Sequence, residues 1–335
     1  MRAAVRAHEN GALDVAVELA NRLEQPVFVY HALSERYPYA SARHHTFILE
    51  GARNVQRQLT EQGISYGFHL ERPGNRGPHL RTLMGQASLM ITEQMPVEPL
   101  RRWTARLARD SNIPLLAVNT ACVVPMQMVG KAHTRAFEFR NATKAHYAQR
   151  LTLAAYEVQP AVAAAQLELP FEPADFRTTA IADLVSACAI DHAIGIVPHA
   201  VGGSTAGYAR WKHFAKRGLS DYARVRNDAL SDGVSRMSAY LHYVMVSPQR
   251  LAREAAEIDV DGAQKYLDEL LIWRELAYGF CFYRSDHGRL SALPVWAIET
   301  LAEHQRDERP HCTRGKPWRE PKQAILCGMP HSRHC

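Results

Sequence analysis

The sequence predicts an α/β domain followed by an all-α domain, and three observations carry that prediction. Over the first third, apolar runs of strand length alternate with stretches of helical period, the pattern of a doubly wound parallel sheet. From Val201 onward the patterns are almost wholly helical. The chain has 335 residues, long enough for two domains.

Taken in order, Ala12–Leu23 reads as an amphipathic helix, Val27–His31 as a strand, and Phe47–Gln62 as a helix closed by Gly63. Ser65–Leu70 is a strand, His79–Met84 part of a helix, and Ser88–Thr92 a further strand. Leu100–Ser111 is a helix and Leu115–Asn119 a strand. No glycine-rich dinucleotide fingerprint follows any of these strands, which argues against a Rossmann oxidoreductase. From Ala121 to Pro198 the pattern loosens. Lys131, His133, Arg135, Arg140, Lys144, His146 and Arg150 form a basic run, read as a solvated helix face with nucleic-acid contact as the alternative. An Ala-, Pro- and Glu-containing connector follows.

Composition narrows the class. The chain is 47% apolar and 22% charged, as in soluble globular proteins. No apolar run reaches the roughly 18 residues of a membrane span, and the N-terminus lacks a signal-peptide pattern. The expectation is a cytoplasmic protein without membrane contact. Its six cysteines, Cys122, Cys188 and Cys281 among them, are then reduced thiols. A net charge of +6 favours an anionic partner.

The densest chemistry lies between Ser231 and Tyr283. Gly233, Ser235 and Ser238 precede an apolar run, and serines three apart suit a helix N-terminus that offers a capping hydroxyl and free N–H groups. Such an end suits a phosphate. Further on, Leu267, Leu270 and Leu271 share one helical stripe, while Glu269 and Trp273 stand four apart on a neighbouring face. A carboxylate beside an indole can hold a flat, hydrogen-bonding ligand; the bland alternative is an ordinary buried helix.

Five blocks in this half occur in an order and spacing that resemble the flavin-binding domain of class II DNA photolyases. They are GGSTAGYARWKHF at Gly202–Phe214, DYARVRND at Asp221–Asp228, SRMSAYLH at Ser235–His242, DELLIWREL…FCFY at Asp268–Tyr283, and WAIETLAEHQRDER at Trp296–Arg309. The resemblance runs from Met1 to about Pro310, and RAHENGALDVAVELA and ARHHTFILEGARNV look like that family's antenna-side domain. It implies four segments: 1–125 as the α/β domain, 126–197 as an interdomain connector, 198–310 as the N-terminal half of a helical FAD-binding domain, and 311–335 as an aberrant tail.

The roles that follow are implied by the resemblance. Tyr222 stands near the adenine end of FAD. Val234, Ser235, Arg236, Met237 and Ser238 form the diphosphate loop, with Ser235 and Ser238 as donors. Glu269 hydrogen-bonds a cyclobutane pyrimidine dimer flipped out of DNA, and is the catalytic residue. Arg226 and Arg274 contact phosphate or that carboxylate, and Trp273 faces the DNA. The implied activity is light-driven dimer repair by electron transfer from reduced FAD, in a monomer, with an antenna chromophore as a possible second pigment. The alternatives are a non-catalytic remnant or a cryptochrome-like flavin- or DNA-binding protein, and a nucleotide-binding α/β module with an unrelated helical partner. Departures from the family pattern fall at Ala229 and Ala239 (usually Pro), Val244 (usually Gly) and Tyr278-Gly279 (usually Asp-Asn).

Both ends carry expectations. The Met1…Arg6 spacing places the start of the chain at the end of the family's opening strand, so that strand is expected to be missing. After Pro310 the helical period disappears and Cys312, Cys327, His331, His334 and Cys335 cluster, without the paired spacing of a zinc knuckle. The codons permitted by this tail, read one nucleotide earlier, allow LYTWEALARAETGDPLWNAAQ. A Leu-Trp-Asn-Ala-Ala-Gln-like segment is what the family carries there, which points to a one-nucleotide frameshift near Pro310. The family's remaining flavin-cup residues lie beyond that point, so weak FAD binding and poor repair are expected of the chain as written.

Overall fold

The computed structural model describes residues 1–164 and 166–307; the tail at 311–335, with its frameshift and zinc readings, lies outside the described residues. The first part is parallel α/β as expected: α1 (Gly11–Arg22), β1 (Phe28–Leu33), α2 (Ala42–Glu61), β2 (Ser65–Leu70), α3 (His79–Met84), β3 (Met90–Glu93), α4 (Leu100–Asp110) and β4 (Leu115–Val118). Each expected strand and helix is present, with shifted ends. α2 begins five residues earlier than its apolar pattern because the Ser41 hydroxyl caps it, accepting from His44 N at 3.5 Å. Gly63 closes it at φ 71°, the left-handed conformation that glycine adopts freely.

The sheet is split. β1 pairs in parallel with β2 and β3 with β4, but among the described residues no strand joins the two pairs. Residues 1–4 bridge them at one end. The Met1 nitrogen donates to Tyr30 O on β1 at 2.7 Å, and Arg2 N donates to both Glu93 carboxylate oxygens at 3.0 and 3.1 Å. Elsewhere between the pairs runs a cavity of about 2020 Å³, lined by α1, α3 and α4 as well as by both strand edges.

The rest is helical: α5 (Met126–Val129), α6 (Ala136–Leu151), α7 (Ile181–Ser186), α8 (Ser204–Arg217), α9 (Tyr222–Val225), α10 (Ser238–His242), α11 (Pro248–Ala256) and α12 (Asp261–Leu267). A six-residue π-helical segment, Asp268–Trp273, then leads into α13 (Arg274–Tyr283), and α14 (Val295–Glu303) follows. The expected connector is a packed part of the molecule. α6 buries Phe139, Thr143 and Tyr147, four residues apart and hidden in sequence among basic neighbours. One hydrophobic cluster runs from Val5 and Val55 through Phe139 and Trp211 to Ile272, so the α/β and helical parts share a core. A second cluster packs α2 and β2 against Phe176 and α7.

Glycine makes that join possible. A Cβ on Gly202 would fall inside the van der Waals shell of the Phe47 carbonyl oxygen, so α2 and the start of α8 meet backbone to backbone. Gly262 of α12 meets the Leu219 carbonyl in the same way. Cys122, Cys188 and Cys281 are free thiols. Among the described residues, no helix is long and apolar enough to cross a membrane.

Candidate functional site

The π-helical segment is the centre of the site. Its wide turn buries three successive residues, Leu270, Leu271 and Ile272, and leaves Glu269 and Trp273 on the open side. The Glu269 carboxylate pairs with Arg226 at 3.0 Å and with Lys265 at 2.8 Å. Lys265 also reaches Asp268 at 3.1 Å, and Arg140 of α6 reaches Asp268 at 2.5 Å. The hydrogen bond to Glu269 raises the Lys265 pKa. Burial raises that of the Tyr222 phenol, with the Glu269 charge adding to it. The structure thus brings together Tyr222, Arg226 and Glu269.

An aromatic group stands beside this carboxylate. Tyr266 stacks on Trp211 at 5.0 Å and meets Tyr222 edge-on at 5.6 Å, with Phe214 at 5.7 Å from both tyrosines. Trp211 is fixed by its indole N–H, which donates to Glu254 at 2.6 Å. Trp273 stays half exposed.

The loop before α10 differs from expectation in one respect. α10 has five residues, its N-cap is Met237, and no side chain caps it. Arg236 takes φ 54°, which turns the chain between the two serines and keeps Ser235 out of the cap position. The Ser235 hydroxyl accepts from Met237 N at 3.4 Å instead, and Ser238 is the exposed first residue of the helix. Met237 is buried, Val234 is exposed, and Arg236 pairs with Asp232 at 2.8 Å. Arg274 binds neither serine nor Glu269. Its Nη1 donates to Ala121 O at 2.7 Å, its guanidinium lies 5.1 Å from the Tyr278 ring centroid, and its Nη2 is buried with no hydrogen-bond partner.

Sequence reasoning missed several members of the site. Lys265 had a signal, its four-residue spacing from Glu269. Arg140, Tyr147 and Glu275 had none, because their partners lie 124 to 152 residues away. Glu275 is fully buried and accepts from Val123 N at 2.5 Å, Val124 N at 3.2 Å and the Tyr147 hydroxyl at 2.8 Å. Burial pushes its carboxyl up to about 7, against the opposing pull of Arg274 and these donors.

Comparison with known proteins agrees with this architecture. The profile of the DNA photolyase family matches residues 1–163. A deoxyribodipyrimidine photo-lyase of Methanothermobacter thermautotrophicus is 29% identical over 311 residues, covering 92% of this chain and 66% of that protein. One from Arabidopsis thaliana is 27% identical over 327 residues, covering 91% and 63%. The chain thus spans less than two thirds of the length of these curated relatives. Among solved structures, a Synechocystis cryptochrome superposes with a TM-score of 0.63 at 15% identity, over 85% of this chain and 61% of that one. An archaeal photolyase from Sulfolobus tokodaii, described with two FAD molecules, gives 0.56 at 13% identity, over 91% and 66%. The α/β start and the helical remainder thus have the fold of these solved structures, and residues 1–163 carry the similarity to the DNA photolyase family.

Proposed function

We propose that this chain belongs to a class II enzyme of light-driven DNA repair, acting on cyclobutane pyrimidine dimers with reduced FAD. The observation that carries this reading is the Glu269 carboxylate, held by Arg226 and Lys265 on a wide helical turn beside Tyr222 and Trp273. Two cations fix its position, and its partial exposure leaves acceptor capacity for a base edge that carries N–H groups.

The donors fit a flavin dinucleotide. The Ser235 and Ser238 hydroxyls suit a diphosphate, and the buried, unpartnered Arg274 Nη2 is a donor in want of an anion. Tyr222, with Tyr266 and Phe214 behind it, offers an aromatic edge to an adenine. Reduced FAD, when bound, supplies the electron that opens the cyclobutane ring and takes it back. The chain's own residues bind and orient. Trp273 stacks on the extruded lesion, Glu269 accepts from its N–H groups, and Arg226 keeps that carboxylate aimed. A net charge of +6 supports attraction to the DNA backbone.

The test is repair by the purified protein, supplied with FAD and reductant, of an oligonucleotide carrying one dimer, in light and in darkness. Slow, light-dependent loss of the dimer is expected, with Glu269→Gln slower still by roughly 10- to 100-fold at unchanged FAD content. Flavin binding without repair would favour the cryptochrome-like alternative, and neither would overturn the proposal.

A further inference from the structure

α6 touches the site through two side chains that the repair reading does not use. Its Arg140 pairs with Asp268, the first residue of the π-helical segment, at 2.5 Å. Two turns further along α6, the Tyr147 hydroxyl lies 2.6 Å from Leu271 O, in the middle of that segment, and 2.8 Å from the Glu275 carboxylate just past its end. The seven-residue step on α6 matches the seven residues from Asp268 to Glu275. One helix therefore spans the whole wide turn.

A wide turn needs such support. An i→i+5 turn is rare and appears mostly as a single turn inside an α-helix, so hydrogen bonds from outside to its backbone and flanking side chains help to hold it. Tyr147 bonds to Leu271 O, a carbonyl of that turn, from within the core, where an unpaired hydroxyl would be costly. Glu275 completes the arrangement. Its carboxylate shares the hydroxyl's single proton with Leu271 O, and it ties α13 to Val123 and Val124.

We propose that Arg140 and Tyr147 are positioning residues for Glu269: together they hold the Asp268–Trp273 turn in its wide form, and so set where Glu269 and Trp273 stand. The inference deepens the repair reading and rests on it only for its consequence in catalysis. The geometry at the turn is testable without any flavin or DNA.

The experiment is amide hydrogen exchange of residues 268–275 in the full chain, compared among wild type, Tyr147→Phe, Arg140→Gln, Arg140→Lys and Lys144→Ala. Tyr147→Phe removes only the hydroxyl and keeps the buried ring. Exchange in 268–275 is expected to rise about tenfold in Tyr147→Phe and in Arg140→Gln, the loss of one buried or charge-assisted hydrogen bond. Amides of α11 should be unchanged. Arg140→Lys should restore protection in part, and Lys144→Ala, on the exposed face of α6, should leave it alone. Uniform loss of protection across the molecule, or none at 268–275, overturns the proposal.

Dimer repair on the same variants gives the second reading. If wild type repairs, Tyr147→Phe should weaken apparent affinity for dimer DNA and leave flavin content intact. If wild type does not repair while local exchange still changes, the repair reading fails and the positioning inference stands.

Discussion

Glu275 places a carboxyl where no solvent reaches it, and its charge must answer for that. In the unfolded chain the group titrates near 4.5; in the folded protein burial lifts it to about 7. The folded state therefore holds the proton more tightly. This contribution to stability is complete below about pH 4.5 and is lost as the pH rises through 7, a total swing of at most about 3 kcal/mol. Glu275→Gln, permanently neutral, should flatten that part of the profile. Thermal melts from pH 5 to 8.5 check it: wild type should lose melting temperature relative to the variant as pH rises, and parallel profiles would refute the assignment. Val244 shows a different kind of residue-level tension. It sits at φ 46°, fully buried, with its carbonyl accepting from Arg6 Nη1 at 2.7 Å. A β-branched residue in the left-handed region costs on the order of 1–2 kcal/mol. The left-handed backbone at Val244 is thus a strain built into this chain.

At the level of elements, the block GGSTAGYARWKHF combines a helix start with a backbone contact. Gly203 takes φ 105° to turn the chain into α8, and Gly202 lets α8 touch the Phe47 carbonyl of α2. Gly202→Ala has no flexible side chain to push aside, because the obstacle is main chain. It should destabilise by about 2–4 kcal/mol or more, the range for overpacked or strained core positions. Urea unfolding measures this, and a loss below about 0.5 kcal/mol would show that the join relaxes. The example also shows what sequence could and could not tell. In the first part, helical and strand periods were readable because the elements carry their own apolar faces: four strands and α1 to α4 appear where expected, α2 with an earlier start. An Arg226 contact to the Glu269 carboxylate was one of the two expectations that the block resemblance implied for that residue. The wide turn was not. Leu267, Leu270 and Leu271 look like an α-helical stripe, and the residues that widen the turn, Arg140 and Tyr147, lie over a hundred positions away. Nor was the loop at Arg236, because a left-handed arginine leaves no mark on hydrophobic period.

For the whole molecule, the split sheet matters most. β1 and β2 belong to the two hydrophobic clusters through Val29, Phe68 and Leu70, whereas no residue of β3, α4 or β4 appears in either. α4 buries none of its side chains, and Trp103 and Leu116 are 51% and 43% exposed. What ties this unit down is mostly polar, together with the packing of α1 on β3 and β4: the Arg2–Glu93 bonds, Arg2 Nη2 to Thr104 at 2.8 Å, Arg81 to Asp110 at 2.8 Å, and the β3–β4 ladder itself. Stability within one chain follows buried apolar contact, so opening should begin where that contact is thinnest. Residues 90–118 should exchange their amides through a partial opening, at lower free energy than 28–33, 65–70 and 240–272, which should exchange only on global unfolding. Added urea should leave exchange in the first group nearly constant and accelerate the second, because partial opening exposes little new surface. Equal urea dependence in both groups would mean that the gap between β1 and β3 does not weaken the sheet, and that α1 and the polar contacts couple the two halves as firmly as a shared core.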